Sequence, residues 1–154
     1  MLTLPLLVRP DKKYMAEEAS KPKETYPPNR YYIASHGDNM ANLHLSLANS
    51  TIGLKQSAGH VGQTVLLTYN DAGKTYVAAV GRLLKKKENV MYGDCSFPYG
   101  WEIVILRVHV LNPILLNEIV TGTVLGYAKR SMRTPIKSHT AVTRLNALFF
   151  ASEE

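Results

Sequence analysis

This sequence is poor in what enzymes and secreted domains usually carry. It has one cysteine, Cys95, so an internal disulfide is excluded and a cysteine-rich zinc set is not available. A lone thiol fits a reducing compartment. No apolar run reaches the length of a membrane span. The opening MLTLPLLV is apolar, but it begins without basic residues, is broken by Pro5 and shows no cleavage site, so it does not read as a secretion signal. There is no nucleophile elbow, no HExxH, no Walker loop and no CxxC. The histidines (36, 44, 60, 109 and 139) stand far apart, without ligand spacing. Ser35, His36 and Asp38 are triad residue types, but neighbours on one turn rarely face one another as nucleophile, base and orienter. These gaps point away from catalysis, and no metal or cofactor is implied.

Negative charge is the most informative shortage. No Asp or Glu occurs from Ile119 to Ser152, where Lys129, Arg130, Arg133, Lys137, His139 and Arg144 all fall. The whole chain carries a formal +6 with a pI near 9.4. A solvated surface normally mixes signs, so a one-sign segment predicts a face turned toward an anion such as phosphate. The plainer alternative is a basic loop in water.

The 154 residues are 45% hydrophobic and 19% charged, enough for one domain with a real core. Residues 1–29 are charged and Pro-rich after the apolar start and read as a largely irregular extension; the domain is placed at 30–152. Within it, Arg30 to Leu54 organises the rest. Tyr31, Tyr32 and Ile33 suit a strand. Ser35-His36-Gly37 breaks it, Asp38 offers a cap, and Met40, Leu43 and Leu47 recur at helical spacing. TVLLTY and KTYVAAVGRLL flank Asn70-Asp71-Ala72-Gly73 as a hairpin, and Gly81 predicts a bulge. Lys85 to Gly93 reads as a polar connection and CSFPYGW as an aromatic loop. WEIVILRVHVL reads as the longest strand, Asn112-Pro113 as the start of a short helix, and Val120 to Lys137 as loop. Val142, Leu145, Leu148 and Phe149 predict a closing helix behind Ser138 and Thr140. The expected fold class is α+β, a small curved mixed sheet or barrel flanked by helices.

Ser35, His36, Asp38 and Asn39 would gather where a strand ends and a helix N-terminus opens, a setting that favours phosphate or a hydrogen-bonding ligand edge. Asn39 carries both donor and acceptor and could read a base edge, or it could simply cap the helix. Phe97, Tyr99 and Trp101 could wall a slot for a flat base; Trp101 is equally suited to the core. Lys137, Ser138 and His139 would make a phosphate seat at a helix start, unless Ser138 is an ordinary cap.

In this order, from Arg30 to Phe150, these segments resemble the PUA-like superfamily, and within it the YTH and EVE domains. RYYIAS followed by a helix beginning DNM is similar to the YTH opening. The resemblance gives Asn39 and Ser35 places in a modified-base pocket. GQTVLLTY and YVAAVGRL look like the central hairpin, and TPIKSHTAV resembles a late loop whose Arg holds a phosphate; His139 stands at that position, with Lys137 close by. Where YTH domains have Gly-Val-Trp, with the Trp walling the base cage, this chain has Gly53-Leu54-Lys55. The second cage Trp finds Phe97 or Tyr99 nearer the pocket than Trp101. The chain equally resembles stand-alone EVE proteins and the N-terminal modules of McrB-type modification-dependent restriction systems. The resemblance implies a non-enzymatic module that binds methylated DNA or RNA, with the base flipped into an aromatic-lined pocket. Phosphates would be held by Lys129, Arg130, Arg133, Lys137, Ser138, His139 and Arg144. It further implies a prokaryotic cytoplasm, no membrane partner, and a place in a larger multidomain or oligomeric assembly. A protein-interaction module with a basic surface and a small RNA-processing enzyme are the rival readings.

Overall fold

The computed structural model describes residues 27–92, 95–130, 132 and 134–150. The chain runs β1 (Tyr32–Ser35), α1 (Met40–Asn49), β2 (Thr51–Leu54), β3 (Thr64–Asp71), β4 (Lys74–Tyr92), β5 (Cys95–Val108), β6 (Ile114–Leu115), a 3₁₀ turn (Leu116–Glu118), α2 (Gly122–Arg130) and α3 (His139–Phe149). The six strands make one mixed sheet in the order β1-β3-β4-β5-β2, with β6 alongside β4. β1 runs parallel to β3, from Tyr32 opposite Val65 to Ser35 opposite Thr68. The other ladders are antiparallel. This is the α+β class expected, a curled half-barrel with helices against it.

Local chemistry explains the hairpin. The β3–β4 turn is Ala72-Gly73, with φ of 52° and 80°. Two left-handed residues in a two-residue loop give the twist that antiparallel strands need. The curl has local causes as well. Register shifts fall at Leu67/Thr68, Val80/Gly81 and Leu83/Lys85, and each bulge bends and twists its strand. Gly81 stands at one of them, where a Cβ would lie 3.1 Å from the Val104 carbonyl oxygen.

The sheet is covered on both faces. On one side Tyr31, Ile33, Leu66, Val77 and Val80 pack beneath Leu125 and Ala128 of α2 and Val142, Leu145 and Phe149 of α3. On the other, Leu43 of α1 packs on Ala34, Ile52, Val65, Leu67, Trp101 and Ile103. Tyr31 is fully buried, and its hydroxyl donates to Asn146 Oδ1 of α3 at 2.6 Å.

Several segments depart from the sequence reading. Lys85 to Tyr92 is no connection but the far half of β4, and CSFPYG is no loop but the start of β5. After Asn112-Pro113 the chain first makes the short strand β6 on Tyr76 and Val77, and the helical part of the expected segment is a single 3₁₀ turn at Leu116–Glu118. Val120 to Lys137 contains α2. The N-cap of α1 is Asn39, whose side chain accepts from the Asn42 amide at 3.0 Å, and not Asp38. Met40 is more than a third exposed, so the buried face of α1 is carried by Leu43 and Ser46. The proposed extension falls outside the described residues apart from Pro27–Asn29.

At Gly100 the backbone of β2 approaches β5 closely. A Cβ there would run into the Ile52 carbonyl oxygen and lie 2.5 Å from Val90 Cγ2. Backbone cannot yield as a flexible side chain can, so Gly100→Ala should destabilise the fold by about 1–3 kcal/mol. Gly62→Ala has open space around the new methyl and strain only from its φ of 91°. Urea midpoints of the two variants would check this, Gly100→Ala shifting further.

Candidate nucleic-acid interface

β1 and β2 are the two edges of the sheet, and both border one cleft of about 270 Å³. Ile33, Ala34 and Ser35, at the end of β1, form one side. Gly53 and Leu54 of β2 form the other, with Lys55, Gln56 and Ala58 just beyond. Lys129 of α2 and Met132 close a third side. Phe97 of β5 supplies the aromatic surface. Its ring lies on the backbone of Gly53, where a Cβ would stand 2.5 Å from Phe97 Cδ2. Glycine at 53 is therefore what lets the ring settle beside the cleft.

Of the residues expected to form the base pocket, Ser35 and Phe97 line this cleft. Trp101 lies behind it, 3% exposed, its indole N–H donating to the Ala58 carbonyl at 2.7 Å. It takes the core role of its two alternatives. Asn39 is occupied as a cap, and Asp38 is exposed beside it. Tyr99 pairs with Leu54 across the β5–β2 ladder and is half-buried without lining the cleft.

His36 turns inward. Its backbone N–H donates to the Thr68 carbonyl at 2.9 Å. Its Nδ1 lies 3.2 Å from the same carbonyl, and its Nε2 lies 2.9 Å from the Ser46 hydroxyl. A carbonyl can only accept, so Nδ1 carries the proton and Nε2 accepts from Ser46. Burial lowers this histidine from the ordinary 6.5 to about 4, against the opposing pull of hydrogen bonds to the Thr68 and Ala34 carbonyls. The ring thus ties the turn after β1 to α1 and leaves no free nitrogen for a ligand.

The basic segment is only partly at the cleft. Lys129 lines it, with its ammonium 3.0 Å from Thr75 Oγ1 and 3.5 Å from Asn70 Oδ1. Ser138 caps α3, accepting from the Ala141 amide at 3.4 Å. Arg144 donates to the Glu118 carbonyl at 2.9 Å. Lys137 and His139 are exposed at the start of α3. Arg133 and the side chain of Arg130 fall outside the described part.

Sequence reasoning gave no binding role to Lys55, Gln56 or Met132. In the sequence Gly53-Leu54-Lys55 is marked only as the stretch where an aromatic wall is lacking, and that is the usable signal. Among the described residues no cluster of three or more His, Cys, Asp or Glu could hold a metal, and no helix is long and apolar enough to cross a membrane.

No family model and no curated protein matches the sequence. Solved structures do match the fold. One is the YTH domain of the Zygosaccharomyces rouxii MRB1 protein in complex with N6-methyladenosine RNA. It is 13% identical with a TM-score of 0.52, the match covering 84% of this chain and 94% of that one. Another is the Pho92 YTH domain in complex with m6A, at 13% identity and a TM-score of 0.50, over 84% of this chain and 88% of that one. The chain therefore has a YTH-like fold.

The His36 contacts make stability pH-dependent. In the unfolded chain this imidazole takes up a proton near 6.5, in the folded one only near 4. The full stability is present above about pH 6.5 and falls as pH drops toward 4, by up to about 3 kcal/mol. Thermal melts across that interval should show the decline, and His36→Gln, which cannot titrate, should show a shallower one.

Proposed function

We propose that this protein binds a nucleic-acid strand and reads one modified base in the cleft between β1 and β2. The observation that carries the reading is the cleft itself: one aromatic face, polar groups and two lysines, set between the sheet edges of a YTH-like fold. Its volume of 270 Å³ is just below the range of roughly 300–1,000 Å³ usual for drug-sized ligands, which suits a single small ring. Two solved proteins of this fold hold methylated adenosine, and that likeness supports a methylated base as the occupant.

The roles follow from the side chains. Phe97 stacks on the base. Ser35, exposed at the end of β1, and Gln56 offer hydrogen bonds to its edge. Leu54 and Met132 give the added methyl an apolar place. Lys137 and His139 hold a flanking phosphate, giving salt-dependent affinity.

Energetics favours a single strand as target. Stacking on an aromatic side chain is worth about 1–3 kcal/mol per base. Extruding a base from a duplex costs a few kcal/mol. With Phe97 as the aromatic wall, these nearly cancel, so a base already unpaired is bound better than one in a duplex, whether in RNA or DNA. No chemistry on the base is required: the side chains at the cleft bind and orient.

Fluorescence polarisation with matched methylated and plain oligonucleotides tests this. Phe97→Ala should weaken the methylated strand about tenfold and narrow the gap between the two. Gly53→Ala should do the same indirectly, by displacing the ring. Equal binding of methylated and plain strands by the parent protein would sink the reading.

A further inference from the structure

A strand whose base lies in the cleft has backbone on both sides of it. Lys137 follows Ile136, which pairs with Tyr31 just before β1, so the start of α3 with Lys137 and His139 lies on the β1 side. On the β2 side the sequence reading named no phosphate-binding group, yet the fold gathers lysines there. β4 loses its β3 partner after Arg82, opposite Thr64, and continues against β5 alone. On that continuation stand Lys85, Lys86 and Lys87, all exposed. Lys86 pairs with Trp101 across the ladder, and its ammonium reaches Ser57 Oγ at 2.7 Å. Ser57 lies in the segment that carries Lys55, Gln56 and Ala58 to the cleft. So Lys86 is tied to the cleft's own rim, two residues from Lys55.

The charge there is poorly balanced. Glu102 faces Lys85 across the ladder, and Glu88 follows Lys87 in the chain. Neither forms an ion pair with these lysines, and among the described residues Lys55, Lys85 and Lys87 have no ion-pair partner. Successive strand residues point to opposite faces, so Lys86 stands on the side of Ser57 while Lys85 and Lys87 stand on the other. Lys55 and Lys86 thus put positive charge on one rim without a paired carboxylate, which a bridging anion would offset. Lysines on an open strand edge also discourage edge-to-edge pairing. That role does not account for Lys55, on the other side of the same rim, or for the Lys86–Ser57 bond that fixes the two segments together.

We propose that Lys55 and Lys86 form a second backbone-binding surface, gripping the phosphates on the β2 side of the base in the cleft. The occupant is a single nucleic-acid strand: its charge complements the patch, and the patch is continuous with the cleft. The proposal rests on the base-reading function for its orientation but has its own readout. Each phosphate contact contributes about 0.7 to the slope of log affinity against log salt for a single strand.

The experiment compares the parent with Lys86→Gln, and with Lys85→Gln/Lys87→Gln on the opposite face, on a short single-stranded oligonucleotide, methylated and plain, between roughly 50 and 200 mM salt. Lys86→Gln should bind both strands severalfold more weakly at the low-salt end, with a slope reduced by about 0.7 and an unchanged methylated-to-plain ratio, while Lys85→Gln/Lys87→Gln should leave the slope as it is. Lys55→Gln alone should lower the slope by about 0.7. Unchanged slope and affinity in Lys86→Gln overturn the proposal, as does self-association of that variant with affinity intact, which would mark the lysine as edge protection. Retention of poly-glutamate but of no oligonucleotide by the parent also overturns it, in favour of an acidic protein partner. Loss of discrimination in the parent, with the slope change still present, counts against the base-reading function and leaves this surface standing.

Discussion

β1 and β2 are separated in the chain only by α1 and its flanking turns, yet they occupy opposite edges of the sheet. The intervening strands, β3, β4 and β5, must therefore bend far enough to bring both edges to one cleft. Bulges at three places supply the bend. α1 packs across the concave side through Leu43, and His36 fastens the turn before the helix to β3 and to Ser46. A fully closed barrel would pair the backbone of β1 with that of β2 and leave no slot. Here the edges stay apart, and side chains together with the segment after β2 line the gap.

Glycine at two positions makes this geometry possible. Gly53 and Gly100 are partners across the β2–β5 ladder. At Gly100 the missing side chain leaves room for the Ile52 backbone, and at Gly53 it leaves room for the Phe97 ring. One therefore serves the sheet and the other the site. Packing and binding meet in one rung, so the position of the aromatic wall depends on how closely two strands approach.

The opening strand, the central hairpin and the closing helix were legible because in each one residue pattern served one purpose. Tyr31, Ile33 and the TVLLTY run are buried on the sheet, and Val142, Leu145 and Phe149 face it from α3. The far half of β4 was not legible. Lys85 to Asn89 is exposed at every position, so no alternation marks it as a strand. Pro98 disguised β5, yet no pairing is formed at Pro98 or at Asn89, which has a φ of 55°. The ladder skips the residue that lacks an N–H. α2 was hidden by poor helix formers, Gly122, Thr123, Val124 and Gly126, and is held by burial of Leu125 and Ala128. At the site, Ser35 and Phe97 could be found from sequence, since a strand end and an aromatic cluster both leave marks. Lys55 and Lys86 could not, because what relates them to the cleft is the curl of the sheet and one bond to Ser57.

Under the proposed function, a slot with one aromatic wall and lysines in its lining would divide its labour differently from an all-aromatic cage. Stacking falls off when one face of the base is left to solvent or to an ammonium, so the single ring would supply only part of the affinity. Cationic groups on both rims then supply most of the attraction, and they do so without regard to sequence. Such a division makes affinity steeply salt-dependent while discrimination stays nearly constant with salt, because methyl and plain bases carry the same phosphates. It also disfavours any base that is itself positively charged: Lys55 and Lys129 line the cleft, and none of the residues lining it is acidic. The fold sets the slot and Gly53 seats its aromatic wall; under the proposed function, a lining with two lysines and no carboxylate would favour a neutral ring.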